Sequence, residues 1–295
     1  MGEKMTGYVF SCRTLLLIVI LVCLPGSGWA KDTISWMEAV APPFFIHEGE
    51  FAGQGYEDIV TDIITENLPQ YNHERIIANI TRHYQEFKDG RKACNVGLFK
   101  TPEREEFLYY SLPSFFTLPA VIVINKDKFE AFGSTKVVRL EDVLKKNLII
   151  GRAERRSYGK QIDEILDLHG TEENVFSYEG YELSLNFFEM LKHDRLDGLI
   201  GLPDETLYQA ERLGIRDQIM TLTIAENQSG YDSWLSYVAC SKNEWGKKVI
   251  EEINAILLQH RPTERYRKSY ERWLDDGAIP GYRKLYDEIF LQIVE

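Results

Sequence analysis

The chain lacks the patterns that announce catalysis. It holds no Gly-x-Ser-x-Gly, no Gly-x-x-x-x-Gly-Lys and no Cys-x-x-Cys, so a nucleophile elbow, a phosphate-cradling loop and a dithiol motif are all absent. His47, His73, His83, His169, His193 and His260 show no paired spacing of a zinc site. A surplus of positive charge is missing too: 34 Lys and Arg stand against 46 Asp and Glu, a net charge of −12. That balance argues against nucleic acid or an anionic membrane as partner. Long apolar runs are also lacking. Leu15–Leu24 is about ten residues, short of the roughly twenty that a membrane span needs.

Cysteine is scarce, with four in the chain. Residues 1–30 have positive Lys4 and Arg13, the apolar run, and small residues at Gly28-Trp29-Ala30, the grammar of a secretory signal peptide. Its removal takes away Glu3, Lys4 and Arg13, leaving 32 basic and 45 acidic residues, and leaves two cysteines, Cys94 and Cys240. Each lies in an apolar, strand-like stretch. They either pair in an oxidising compartment or remain two separate buried thiols. Export, with no stable membrane insertion after cleavage, is the expectation. Asn79-Ile80-Thr81 matches a glycosylation acceptor, a pattern common by chance.

What is present is a repeated strand–helix grammar. TISWM at 33–37 reads as a strand, followed by the aromatic loop Ala41-Pro42-Pro43-Phe44-Phe45. Tyr56, Ile59, Val60, Ile63, Ile64 and Leu68 recur at helical spacing. Residues 75–80 read as a strand, 82–89 as a helix and 94–99 as a strand. Pro119–Asn125 is a continuous β-branched run, the pattern of a strand buried on both faces. The grammar then restarts: helix 140–145, strand 148–151, helix 159–168, strand 174–178, helix 182–193, strand 199–202. A second uninterrupted strand, 235–240, leads into an amphipathic helix carrying Trp245, Val249, Ile253, Ile256 and Leu257. Such alternation predicts an α/β fold with mostly parallel sheets. The remaining length of about 265 residues fits two lobes, with the ligand site in the cleft beyond the strand ends.

Within this frame the stretch Gly97–Phe116, GLFKTPEREEFLYYSLPSFF, stands out. Thr101 before Pro102 reads as an N-cap followed by proline at the first helical position. Arg104 therefore sits in a first turn, where acids are the usual choice. It is either paired with Glu103, Glu105 or Glu106, or aimed at an anion, which a guanidinium grips with two parallel hydrogen bonds. Phe44 and Phe45 are candidates to stack on a ligand or to fill core. Arg152, Arg155 and Arg156 either bind an acidic or phosphorylated ligand or form a solvated basic patch, and the solvated patch is the favoured reading. Tyr231 and Trp234 read as packing beside the second crossover strand.

APPFF, GQGYEDIVTDII, GLFKTPERE with LYYSLPSFF, AVIVINKD, RLDGLIGLPD and WGKKVIEEINAIL occur in the order and spacing of the family 3 extracellular solute-binding proteins of bacteria. The chain resembles a divergent member of that family over residues 33–275. The resemblance implies a type II periplasmic-binding-protein fold with residues 31–121 and 238–295 as lobe 1 and 122–237 as lobe 2. It implies a monomeric periplasmic receptor that captures a small carboxylate-bearing, amino-acid-like solute for an ABC permease, with no cofactor, no metal and no catalytic residue. Arg104 matches the arginine that grips the ligand's carboxylate, and Thr101 belongs to the same segment. Phe44 and Phe45 lie near the aromatic that covers the ligand. Ser157, before a helix, matches the second-lobe carboxylate contact. Gly97 and Phe99 stand where serine or threonine is common. Leu202 stands where the family's amine-binding aspartate falls, with Asp204 two positions on. The alternatives are an enzyme on the same scaffold, similar to cyclohexadienyl dehydratases, with Asp204, Glu205 or Glu154 as its acid or base, and a ligand-sensing module for a membrane partner.

Overall fold

The computed structural model describes residues 1–4, 7, 31–179, 183–228, 230–231, 234–274 and 276–295, and the side chains of residues 183 and 184 are not described. The proposed signal segment 1–30 lies almost wholly outside the described residues. The described part of residues 1–32 carries no helix or strand. No described helix is long and apolar enough to cross a membrane.

Residues 33–295 build two sheets. The first portion of the chain supplies β1 (Thr33–Glu38), α1 (Tyr56–Glu66), β2 (Asn72–Ile77), α2 (Ile80–Lys88), β3 (Ala93–Leu98), α3 (Pro102–Glu105) and β4 (Leu108–Phe116). The middle supplies β5 (Val121–Asn125), β6 (Val137–Val138), α4 (Leu140–Leu144), β7 (Ile150–Ala153), α5 (Lys160–His169), β8 (Val175–Tyr178), α6 (Leu183–Lys192), β9 (Gly198–Gly201), α7 (Pro203–Leu213) and β10 (Ile219–Ile224). The chain then returns with β11 (Leu235–Ser241), α8 (Glu244–His260), α9 (Glu264–Glu271) and α10 (Ile279–Glu288).

The first sheet has the order β2-β1-β3-β11-β4 and the second β6-β10-β5-β9-β7-β8. In each, one strand runs against the rest: β11 is antiparallel to β3 and β4, and β5 to β9 and β10. These are the strands formed just after the chain changes sheets. Both sit in the interior of their sheet, which is why their sequences are unbroken apolar runs. β5 belongs wholly to the second sheet and β11 wholly to the first, so the changeovers fall in the connections before them.

β4 runs along the edge of the first sheet, where Pro113 is tolerated because no partner needs its missing N–H. Cys94 and Cys240 are register partners on β3 and β11 and form a disulfide. The bridge spans 146 residues. A closed loop of that length restricts the unfolded chain by about 5 kcal/mol in the chain-entropy account.

Each lobe has its own core. In the first, Val60, Ile63 and Ile64 of α1 and Val249, Ile253 and Leu257 of α8 pack on Ile34, Trp36 and Val96. In the second, Ile122, Ile124, Ile150, Ile162 and Leu222 form one side, and Val123, Phe188, Leu191 and Leu199 the other. This two-sided burial separates a layered α/β lobe from a half-exposed sheet.

Candidate functional site

The loop from Ala41 to Gly55 is set by one acid. Asp58 in the first turn of α1 accepts hydrogen bonds from Ile46 N at 2.9 Å and Gly55 N at 3.0 Å. Glycine is required at position 55, because a Cβ there would come within 2.1 Å of Phe44 O. Asp58 shares Arg75 with Glu38, at 3.1 and 3.0 Å. Burial pushes Glu38 up to about 7, although Arg75 opposes the shift. The loop thus presents Phe44 against Tyr56, with ring centres 5.1 Å apart.

That loop roofs a cavity of about 130 Å³ lined by both lobes. Arg104, Glu57 and Tyr84 reach it from the first lobe, and Arg156, Ser157 and Leu202 from the second. Arg104 is 7 % exposed. It does not pair with its neighbouring acids; Glu105 pairs with Lys100 instead, at 3.0 Å. Its guanidinium donates to Phe99 O at 2.8 Å and, across the lobes, to Arg155 O at 3.2 Å, and it lies 5.2 Å from the Tyr84 ring centre. Two of its five N–H donors are thereby occupied. A second inter-lobe contact lies beside it, where the Thr81 hydroxyl donates to the Glu179 carboxylate and accepts from Arg155 at 3.3 Å.

Phe44, Phe45 and Ser157 line the cavity with Arg104, whereas Thr101 and Asp204 are not among its lining residues. Thr101 caps α3, its hydroxyl accepting from Arg104 N at 3.3 Å, and so fixes the helix start that carries the arginine. Phe45 is buried and stacks on His47, so it contributes to the core as well as to the wall.

Ser157 has a partner already: its hydroxyl donates to Asp163, and the other Asp163 oxygen accepts from Tyr158 N at 2.9 Å. The start of α5, expected to receive a ligand's carboxylate, is filled by a carboxylate of its own first turn.

Asp204 is fully buried and turned away from the cavity, accepting from Tyr270 Oη at 3.3 Å, while Tyr270 itself accepts from Leu118 N. Burial, with Glu205 adding to it, pushes Asp204 up to about 7. Of the three acids considered for chemistry, Asp204 is outside the cavity and Glu205 is paired, so only Glu154 lines it.

The basic patch needs correction. Arg155 is exposed, but Arg156 turns into the cavity, because Phe44 and Tyr158 offer their ring faces at 5.2 and 5.4 Å and Glu205 accepts from it at 3.1 Å through both oxygens. Burial works against its charge, yet Glu205 and the adjacent tyrosines hold its pKa above the ordinary value. Its Nη2 is buried without a partner among the described residues.

Sequence reasoning also missed Glu57, an acid in the first turn of a helix and therefore unremarkable by position. Gly97 was its signal. The glycine is in a strand, and the Glu57 carboxylate occupies the space a side chain there would need.

No family model matches this chain, and no curated protein sequence matches it. Solved structures do. An ancestral arginine-binding protein bound to arginine superposes with a TM-score of 0.63 at 18 % identity, covering 83 % of this chain and 98 % of the other. A Salmonella typhimurium periplasmic binding protein described as highly specific for arginine gives 0.61 at 18 % identity, covering 83 % and 100 %. A histidine kinase sensor domain similar to periplasmic binding proteins gives 0.64 at 15 % identity, covering 83 % and 96 %. The fold is that of the two-lobed, type II periplasmic binding proteins.

Proposed function

We propose that this protein is a periplasmic receptor that closes two lobes around a small carboxylate-bearing, amino-acid-like solute and presents it to an ABC permease. It acts as a monomer, exported through residues 1–30 and carrying the Cys94–Cys240 bridge that suits an oxidising compartment. The observation that carries this reading is Arg104. A nearly buried guanidinium faces a cavity shared by two lobes and keeps three N–H donors without a protein acceptor among the described residues. Arg156 adds a second cationic wall from the opposite lobe. Closure joins them by rigid-body motion about the two changeover connections.

Thermal-shift screening against amino acids, dicarboxylates and cyclic acids tests the reading. A solute at 100 times its Kd stabilises by about 2.7 kcal/mol. Stabilisation by at least one carboxylate-bearing compound is expected; its absence across all three classes, or turnover of the bound compound, overturns the reading. A second reading, a sensing module for a membrane partner, is favoured by the histidine kinase sensor domain of the same fold. Binding to a permease rather than to a signalling protein separates the two.

A further inference from the structure

The cavity contains an acid with nothing to hold. Glu57 is 6 % exposed, and its carboxylate lies so close to Gly97 that a Cβ there would come within 2.1 Å of Oε1. The backbone of Gly97 lies outside the left-handed region, and the atoms nearest a Cβ there belong to the Glu57 carboxylate, so a side chain at 97 would have to displace it.

Most other acids packed inside this protein meet a cation or a donor, although Asp204 Oδ2 also lacks a hydrogen-bond partner among the described residues. Glu38 and Asp58 share Arg75, Glu205 has Arg156, and Asp163 has Ser157 and Tyr158. Glu57 has no hydrogen bond to its carboxylate among the described residues. Burial pushes it well above the ordinary carboxylate range, Asp58, Glu38 and Asp204 push it further, and Arg156 alone opposes them. A carboxylate kept from water without a partner costs free energy unless something charged or donating arrives. On the second-lobe wall Leu202 is apolar, Asp204 faces Tyr270 and Glu179 accepts from the Thr81 hydroxyl, which leaves Glu154 as the other acid lining the cavity.

Resting on the reading of this cavity as a solute site, we propose that Glu57, seated against Gly97, is its cation-receiving end, so that the solute carries an ammonium or guanidinium group as well as the anionic group met by Arg104. The first lobe then supplies both ends of the clamp. The anion lies toward Arg104 and Arg156, the cation toward helix α1. Arrival of the cation favours the ionised carboxylate, so binding releases a proton from Glu57. The other titratable groups facing the cavity are Tyr56 on α1, His83 and Tyr84 on α2, Glu154 and Arg155 on the loop after β7, and Glu179 after β8. His83 is held down to about 4 by burial and stays neutral.

The test uses the purified protein and the twenty standard amino acids together with γ-aminobutyrate. For each compound that binds, the same acid without its amine is titrated calorimetrically, in phosphate and in Tris. Glu57→Gln is compared with the parent, with melting temperatures confirming that the variant folds. We expect the amine-free acid to bind about 10- to 100-fold more weakly, a proton release that differs between the two buffers' heats, and loss of both effects in Glu57→Gln. Gly97→Ala, which displaces the carboxylate, should weaken binding in the same way. Equal affinity for the amine-free acid, an unchanged affinity in Glu57→Gln, or no binding by any amine-bearing compound overturns the proposal. If the amine-free carboxylates still bind through Arg104, the receptor reading stands and only the role of Glu57 falls.

Discussion

Two segments of this molecule are expected to meet a carboxylate, one in each lobe, and among the described residues they differ in how many of their donors are already taken. On the first lobe, Arg104 leaves α3 beside Glu105, which pairs with Lys100, and two of its five N–H donors are taken by backbone carbonyls. On the second, the start of α5 has Ser157 and the amide of Tyr158 in the right place, but Asp163 takes both. The comparison teaches that an anion site is defined as much by what is not already in it as by its donors. Donors ahead of a helix that are held by an acid of its own first turn are not open to a ligand. An arginine with no carboxylate on it among the described residues keeps donors for a ligand.

Arg104→Ala breaks the comparison with the largest effect. Removing a buried guanidinium from a carboxylate costs about 2–5 kcal/mol, so a loss of solute affinity of about 30-fold or more is expected by calorimetry.

Two buried acids sharpen the picture next, one within the first lobe and one between the lobes. Glu38 and Asp204 both rise to about 7 in the folded protein, and burial is the first cause of each. A carboxyl raised by folding contributes stability that is complete below its unfolded value near 4 and is lost as pH rises through about 7. The melting temperature should therefore fall by more than ~2 °C between pH 5 and pH 8. Asp204→Asn, which fixes the neutral form, should flatten part of that slope, and an unchanged slope would remove Asp204 from the account.

A smaller effect is expected at the filled site. Asp163→Ala removes the acceptor of Ser157 and Tyr158 and should lower stability by about 1 kcal/mol in chemical denaturation, with little change in the affinity of the parent's solute. Ser157→Ala should matter least. Its hydroxyl serves Asp163, so solute affinity should stay within about threefold, a change of less than 1 kcal/mol.

Much of the architecture was legible because burial on both faces writes itself as unbroken apolar runs. Val121–Asn125 and Leu235–Ser241 stood out for that reason. Leu108–Phe116 did not, since an edge strand tolerates Pro113 and mixed polarity and then resembles a loop. Pairing of Cys94 with Cys240 needed the register of β3 against β11, which sequence spacing does not carry.

Legibility at the site followed position along the chain. Arg104 was visible because Thr101 and Pro102 fix a helix start, and an arginine is unusual there. Arg156 was misread as solvated, because its burial is made by Phe44, more than a hundred residues away, and by Tyr158. Glu57 was hidden by being ordinary for its helix turn, and only a glycine on a neighbouring strand marks it.

The most direct measurement places the two expected carboxylate contacts side by side. The amino acid that most stabilises the protein in the thermal screen is titrated calorimetrically into the parent, Arg104→Ala and Ser157→Ala proteins. A loss of about 30-fold or more is predicted for the first variant and less than about threefold for the second. Equal losses in the two variants, or an undiminished affinity in Arg104→Ala, would contradict that prediction.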